Sequence, residues 1–109
     1  MTIHQMAESL SLKPLAEPNP DRSFSGGYVG DLLSWVMGRA QKDQVWITIM
    51  SNVNIVAVAA LTDVACIVLA EDVNPGEDVI RTAEQKGINL YSTPRAAYET
   101  AVALAALAE

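Results

Sequence analysis

The fold is decided by residues 45–70, which read VWITIMSNVNIVAVAALTDVACIVLA. Residues 45–50 and 65–70 are short apolar runs rich in β-branched side chains, which is typical of buried strands. Residues 53–61 between them have the length and alanine content of a helix. Because two strands separated by a helix pair in parallel through a crossover, this segment predicts a parallel sheet. We therefore predict an α/β fold, a layered domain with a small, mostly parallel sheet flanked by helices.

The rest of the chain continues this alternation. Thr2 and Gln5 have the spacing of a capping box at the start of a helix. Gly87 is placed to end another helix, and Pro14 restricts its strand to a sheet edge. We expect a single domain over residues 1–109. The predicted helices span 3–10, 31–40, 53–61, 76–86 and 95–108, and the predicted strands span 13–16, 45–50, 65–70 and 88–91.

Composition and charge exclude several classes of protein. Half of the residues are hydrophobic, so the chain folds rather than staying disordered. The net charge is −6 and the seven basic residues are scattered singly, which excludes a nucleic-acid partner. His4 and Glu8 stand where a signal peptide needs an apolar stretch. Asp63 interrupts the longest apolar region, 53–70, which argues against a membrane span. We predict a cytoplasmic protein without membrane contact.

Groups able to perform catalysis are sparse in this sequence. The sole cysteine, Cys66, lies in an apolar run and is interpreted as a core residue. The sole histidine, His4, is interpreted as a solvated residue of the first helix, away from any nucleophile. The acidic pairs 71–72 and 77–78 most simply cap and solvate the start of a helix, with magnesium binding as the alternative. We predict no catalytic residues, no metal and no cofactor.

Residues 26–31, GGYVGD, are predicted to form a glycine-rich turn that opens helix 31–40. Backbone N–H groups at a helix start can hold an anion, but the spacing matches no phosphate-binding loop, and Asp31 would compete with the anion. Asn52 and Asn54 follow strand 45–50, where ligands bind in parallel sheets. Two interpretations stay open, a site for a small anionic ligand or a structural turn with ordinary helix caps. The predicted ligand-binding residues are Arg22, Gly26, Gly27, Asp31, Asn52 and Asn54.

Helix 53–61 has no polar face apart from Asn54. A helix that is apolar on every side must be covered on every side. A domain of this size normally leaves one face of each helix to solvent, so we predict that a second subunit covers this helix in a homodimer. Trp35 lies off the core face of its own helix and is predicted to join the contact. The predicted interface residues are Trp35, Ile55, Ala57, Val58 and Ala60.

Several blocks of the chain resemble the DRTGG domain family. The family motif combines Asp-Arg with paired glycines, which are Asp21-Arg22 and Gly26-Gly27 here. Ser25 takes the place of the threonine that precedes the glycines, so a hydroxyl is kept. The resemblance covers essentially the whole chain. Further similar blocks lie at 28–37, 46–48, 54–59, 87–88 and 92–93, and at Tyr98.

The resemblance implies a regulatory role. Domains of this family resemble the amino-terminal domain of HPr kinase/phosphorylases and, more distantly, the uridine-nucleotide-binding domain of Mur ligases. They occur fused to phosphotransacetylases and to CBS-domain proteins, including regulated pyrophosphatases. The kinase half of HPr kinase is absent here. The expectation is a stand-alone, non-enzymatic regulatory and dimerisation module that binds a partner protein or a small ligand. The alternatives are an adenine-nucleotide sensor, a subunit of a larger metabolic complex and, least favoured, a small enzyme.

Overall fold

The structure is a computed structural model that describes residues 1–107. Helices and strands alternate along most of this range, as the sequence predicts. The helices are α1 (Ile3–Ser9), α2 (Leu33–Arg39), α3 (Asn54–Thr62), α4 (Glu77–Lys86) and α5 (Ala97–Leu107). The strands are β1 (Lys13–Ala16), β2 (Gly27–Val29), β3 (Val45–Thr48), β4 (Cys66–Leu69) and β5 (Leu90–Ser92).

The five strands form one mixed sheet in the order β1-β5-β4-β3-β2. Strands β2 to β5 are parallel, and β1 pairs antiparallel with β5. Each of the crossovers through α2, α3 and α4 therefore leads to the neighbouring strand, always in the same direction across the sheet. Because such crossovers are right-handed, all three helices cover the same face of the sheet. The prediction of a layered α/β fold with a mostly parallel sheet is confirmed.

The central strands β3 and β4 are buried on both faces, so the domain has two cores. Side chains at alternate positions point to opposite faces of a strand. Trp46 and Ile67 point towards α2, α3 and α4 and belong to the larger core. Ile47 and Val68 point to the other face, where α1 and α5 cover them.

Predicted boundaries agree with the structure within two or three residues outside the 26–40 segment. The Thr2–Gln5 capping box forms, and Gly87 ends α4 with a φ of 74°. Strand β5 begins two residues later than predicted. The buried side chain of Asn89 instead anchors the loop before β2 by bonding both backbone groups of Asn19 at 2.9 Å. Position 108 of the last predicted helix lies outside the described residues.

The predicted glycine-rich turn into a helix at 26–31 is wrong. Gly27–Val29 is the edge strand β2, paired in parallel with β3, and α2 begins only at Leu33. Tyr28 and Val29 favour extended backbone, and parallel pairing outweighs the turn tendency of the glycines. With this later start, the apolar residues Leu32 and Met37 are exposed, whereas Val36 is buried.

We expect the two-sided burial of β4 to dominate the free energy of unfolding. Ile67 is fully buried in the larger core, so Ile67→Ala leaves a cavity and should cost about 2–5 kcal/mol. Leu61→Ala removes a side chain that is 70% exposed and serves as the control, with an expected change within about 0.5 kcal/mol. Urea denaturation measures both, and equal losses in the two variants would contradict this account of the core.

Candidate functional site

The side chain of Asp31 is hydrogen-bonded to the carboxyl end of β3. Its Oδ1 atom accepts hydrogen bonds from the Thr48 hydroxyl at 2.8 Å and from the backbone N–H of Ile49 at 3.0 Å. Thr48 is buried, so this carboxylate satisfies a hydroxyl that burial removes from water. Asp31 thus closes the strand end, and it does not occupy a helix start.

Asn52 and Asn54 lie just beyond the same strand end. The Asn52 side chain accepts a hydrogen bond from the backbone N–H of Asn54 at 2.9 Å, an Asx turn that leads into α3, whose N-cap residue is Val53. Asn54 is the first residue of α3 and is exposed. Of the two asparagines, only Asn54 borders a groove on the surface.

Arg22 lies at the opposite end of the sheet, where β3 and β4 begin. Its Nη2 atom donates to Asp43 Oδ1 at 2.8 Å, to Asp63 Oδ1 at 3.0 Å and to the Asp63 backbone carbonyl at 2.7 Å. Asp43 and Asp63 have φ values of 69° and 59°, a left-handed conformation that is costly for residues other than glycine. These hydrogen bonds raise the pKa of Arg22 against the opposing effect of burial. Arg22 therefore clamps two strained loops.

The structure divides the predicted ligand-binding residues between the two ends of the sheet. Gly26 lies with Arg22 at the amino end, where its carbonyl accepts from Val45 N–H, and Gly27 lies within β2. Asp31, Asn52 and Asn54 lie at the carboxyl end. The six residues therefore do not form one site around a bound anion. The physical reason is that β2 runs the length of the sheet between Gly26 and Asp31 instead of turning.

The predicted interface on α3 is also divided. Ile55 and Val58 are buried in the core of their own chain, so the prediction that they contact a second subunit is wrong. Their burial follows from the central place of α3, which packs on the sheet between α2 and α4. Ala57 and Ala60 are exposed on the outer face of the helix. Trp35 is 55% exposed on α2, where its ring stacks with Arg39 at 4.0 Å.

An apolar groove of about 590 Å³ runs between α3 and α4. We call it the α3–α4 groove. One wall is the outer face of α3, and the other carries the hydroxyl of Thr82 and the ammonium group of Lys86. A largely apolar surface with a few polar atoms is typical of small-molecule sites of roughly this volume. The lining residues are Val53, Asn54, Val56, Ala57, Ala60, Leu61, Thr82 and Lys86.

Sequence reasoning missed Lys86 and Thr82 as neighbours of α3. Their four-residue spacing places them on one face of α4, and that signal was available. The lateral approach of α4 to α3 was not available, because it depends on the strand order.

The buried reactive groups are structural. Burial raises the pKa of the Cys66 thiol far above its ordinary range, so the thiolate nucleophile does not form. The Tyr91 hydroxyl donates to Glu17, and burial together with this bond raises the pKa of Tyr91. His4 Nδ1 lies 3.0 Å from the same carboxylate. Through these contacts Glu17 joins His4 of α1 to Tyr91 of β5.

Within residues 1–107, no group of three or more His, Cys, Asp or Glu side chains is placed to hold a metal ion. In the same range, none of the helices combines the length and the apolar character that a membrane span requires.

Comparison with protein families gives a match to the DRTGG domain model over residues 30–107. The chain belongs to the DRTGG domain family. The matched range begins after Asp21-Arg22 and Gly26-Gly27, the residues that carry the motif resemblance. No curated protein matches this DRTGG domain.

Among solved structures, the domain is similar to a regulatory region of Clostridium perfringens pyrophosphatase. That crystal structure contains CBS and DRTGG domains in complex with the activator diadenosine tetraphosphate. The TM-score is 0.69 at 12% sequence identity, over 94% of this chain. The match spans 45% of the pyrophosphatase chain. At this level of sequence identity, the match confirms the fold and by itself supports no statement about function.

Removing the Arg22 clamp should destabilise the fold. Arg22→Ala leaves two left-handed aspartates without their shared donor, and we expect a loss of about 1–3 kcal/mol in the free energy of unfolding. Arg81→Ala, which removes the same charge from an exposed position on α4, is the control and should change little. Urea denaturation at low and high salt measures both variants. An Arg22→Ala protein as stable as wild type would show that the clamp is dispensable.

The His4–Glu17 pair should make stability depend on pH. The hydrogen bond with Glu17 raises the pKa of His4 above 6.5. The stability that His4 contributes to the fold is therefore present below pH 6.5, and it is lost as the pH rises through the folded-state pKa of His4. Burial would raise the pKa of Glu17, but hydrogen bonds from Tyr91 and His4 lower it below 4.5. The Glu17 contribution is therefore present above pH 4.5 and is lost as the pH falls through its folded-state pKa.

The urea concentration at the midpoint of unfolding should consequently decrease as the pH rises from about 6 to about 8, the range in which a histidine loses its charge. His4→Gln should flatten this fall while leaving the Tyr91–Glu17 bond in place. A variant whose midpoint falls as steeply as that of wild type would assign the pH dependence to other groups.

Proposed function

We propose that this DRTGG domain is a non-enzymatic regulatory module that binds a nucleotide-class ligand in the α3–α4 groove and works as a homodimer. The observation that carries the proposal is the groove itself, an apolar surface with one ammonium group at its side, in a family found in a regulatory region.

The shape and chemistry of the α3–α4 groove suit an adenine nucleotide. Ala57 and Ala60 present small side chains, so a planar base can lie close against α3. Leu61 and Val53, which are 70% and 44% exposed, extend the apolar wall. Lys86 supplies a positive charge for a phosphate, and Asn54 supplies an amide for the base or the ribose.

The pyrophosphatase regulatory region supports this ligand class. Its crystal structure holds an activator built from two adenosines and four phosphates. A ligand with a base and a phosphate chain presents one flat apolar surface and one anionic group, which are the two features that the α3–α4 groove complements. The site predicted around Arg22 lacks the first feature, and its guanidinium already binds two aspartates.

The homodimer is supported by the amount of apolar surface that the chain exposes. Large apolar side chains are exposed on α2, α3 and α5, among them Trp35, Leu61 and Tyr98. Where exposed apolar side chains of this size adjoin one another on one face, they mark interaction sites. The exposed part of the α3 surface predicted from sequence, Ala57 and Ala60 with Trp35 at its side, is one candidate contact.

The ligand proposal is tested by calorimetry with AMP, ATP and diadenosine tetraphosphate. Wild type should bind at least one of them, and Lys86→Ala should weaken binding about tenfold, the effect of losing about 1.4 kcal/mol of a charge-assisted contact. Ala60→Glu should abolish binding, because it places a carboxylate in the groove. Lys42→Ala is the matched control, since it removes the same charge from a side chain that is 72% exposed and does not line the groove.

The nucleotides should be recovered unchanged after incubation with the protein, as expected of a module without catalytic groups. Equal affinity of wild type and Lys86→Ala would place the ligand outside the α3–α4 groove. Failure of all three nucleotides to bind would overturn the nucleotide proposal, and turnover of any of them would overturn the non-enzymatic role.

A further inference from the structure

The edge of the sheet at β2 is built differently from the edge at β1. At β1, Lys13 and Pro14 protect the edge, since a charge and a missing N–H both oppose pairing with another strand. Strand β2 contains glycine, tyrosine and valine, with neither charge nor proline. Among the described residues it pairs with β3 alone. Its outer edge therefore lacks the charge and the proline that protect β1, although the strand is short.

Hydrogen bonding to β3 determines which groups of β2 point outward. Gly26 carbonyl accepts from Val45 N–H at 3.1 Å, and Gly30 N–H donates to the Ile47 carbonyl at 3.2 Å. In a parallel ladder alternate residues face the same neighbour, so Tyr28 also faces β3. The N–H and C=O groups of Gly27 and Val29 consequently point away from the sheet. These four groups are the hydrogen-bonding capacity of the open edge.

A second apolar groove follows this edge on the α5 side of the sheet. It has a volume of about 300 Å³ and lies between β2 and the small side chains of Ala101 and Ala105. Leu104 of α5 packs directly against Gly27, where a Cβ atom would stand 2.7 Å from the Leu104 side chain, so only glycine fits at this position without a shift of Leu104. Val29, 50% exposed, points to the same side of the sheet.

We propose that a second copy of this chain adds to β2 through an antiparallel β2–β2 pair, which joins two five-stranded sheets into one of ten strands. A two-fold axis through Tyr28 places Gly27 opposite Val29 of the partner subunit, and Val29 opposite the partner's Gly27. All outward N–H and C=O groups of β2 then form hydrogen bonds, four in total across the axis. A shift of one residue would oppose inward-pointing groups instead.

Side-chain shape agrees with this register. Directly opposed residues of an antiparallel pair lie on the same face of the sheet. The partner's Val29 therefore lies opposite Gly27, which has no side chain to obstruct it, and beside Leu104. On the other face Tyr28 opposes the partner's Tyr28, an aromatic cross-strand pair of the favourable kind.

Helix α5 enlarges the contact beyond the three residues of the strand. It packs across β2 and β3, so with strands about 4.8 Å apart its axis lies roughly 5 Å from the two-fold axis. The two α5 helices would then lie roughly 10 Å apart, close to the packing distance of about 8–10 Å. Tyr98 and Val102, 78% and 51% exposed, supply apolar surface on this helix. Three residues of strand alone would fall far short of the roughly 800 Å² per partner of a stable dimer.

Charge favours the same contact. Two chains with a net charge of −6 each repel, so they associate best through surfaces without carboxylates. Neither β2 nor the groove beside it contains a charged residue. The inference rests on the homodimer of the proposed function and assigns its contact to β2 and α5, away from the α3–α4 groove. A dimer through α3 is the alternative that the experiment separates.

The test compares two valine-to-lysine substitutions at similarly exposed positions. Val29→Lys places an ammonium group at the β2 edge, and Val53→Lys places one on α3, where the wild-type valine is 44% exposed. Sedimentation equilibrium at high micromolar concentration measures the mass, and circular dichroism checks the fold. Wild type and Val53→Lys should have twice the chain mass of 11.7 kDa, and Val29→Lys should have that mass once. A dimeric Val29→Lys protein or a monomeric wild type would overturn the proposal.

A covalent test works even where Val29→Lys fails to fold. The two-fold axis places the Cα atoms of Tyr28 and the partner's Tyr28 about 4.5 Å apart, within disulfide range. Tyr28→Cys should therefore form a disulfide-linked dimer on mild oxidation, whereas the control Leu61→Cys on α3 should not. The native Cys66 is buried and does not interfere. Cross-linking through Leu61→Cys alone would assign the dimer to α3 and refute the β2 contact. Calorimetry with nucleotides on Val29→Lys keeps the ligand proposal separate, because the α3–α4 groove is unchanged.

Discussion

Burial of β3 and β4 on both faces is the constraint on which the rest of the structure depends. Every residue of these two strands is buried. A sheet whose central strands are apolar on both sides needs a helical layer on each side, and parallel pairing supplies the crossovers that form one of them. The other layer comes from α1 and α5 at the two ends of the chain. The three-layer architecture follows from the apolar character of residues 45–48 and 66–69.

The strand order places no topological switch point among the parallel strands. In open α/β sheets the crevice for a ligand arises where the direction of the strand order reverses. The parallel strands here run β5-β4-β3-β2 without reversal. The loops beyond them are joined to one another, since Asp72 N–H donates to the Thr93 carbonyl at 2.9 Å and Glu71 N–H donates to the Arg95 carbonyl at 2.8 Å. Apolar grooves lie beside the helices on both faces of the sheet. A further groove of about 340 Å³ lies beyond β4 and β5, where Asp72, Asn74 and Ser92 are among its lining residues.

Most of the fold was predictable from local patterns, and most of the site was not. The two strands and the helix in residues 45–70 could be assigned from this segment alone, because apolar strands and apolar helices differ in length and are separated by turn residues. Strand β2 was not predictable, since three residues flanked by glycines look like a turn until a neighbour pairs with them. The partners of Arg22 lie 21 and 41 residues away, and no spacing indicates such contacts. The division of α3 into a buried and an exposed side likewise depends on α2 and α4, which its own uniformly apolar sequence does not reveal.

The two apolar surfaces lie on opposite faces of one sheet and share its central strands. Helix α3, the wall of the α3–α4 groove, connects β3 to β4, and β3 pairs with the edge strand β2. A ligand on α3 and a second copy on β2 therefore do not compete for space, and both contact elements attached to β3. If ligand binding changes the affinity between copies by some factor, dimerisation must change ligand affinity by the same factor. A rigid, doubly buried strand between the two surfaces is a direct physical connection through which a regulatory module of this size can link them.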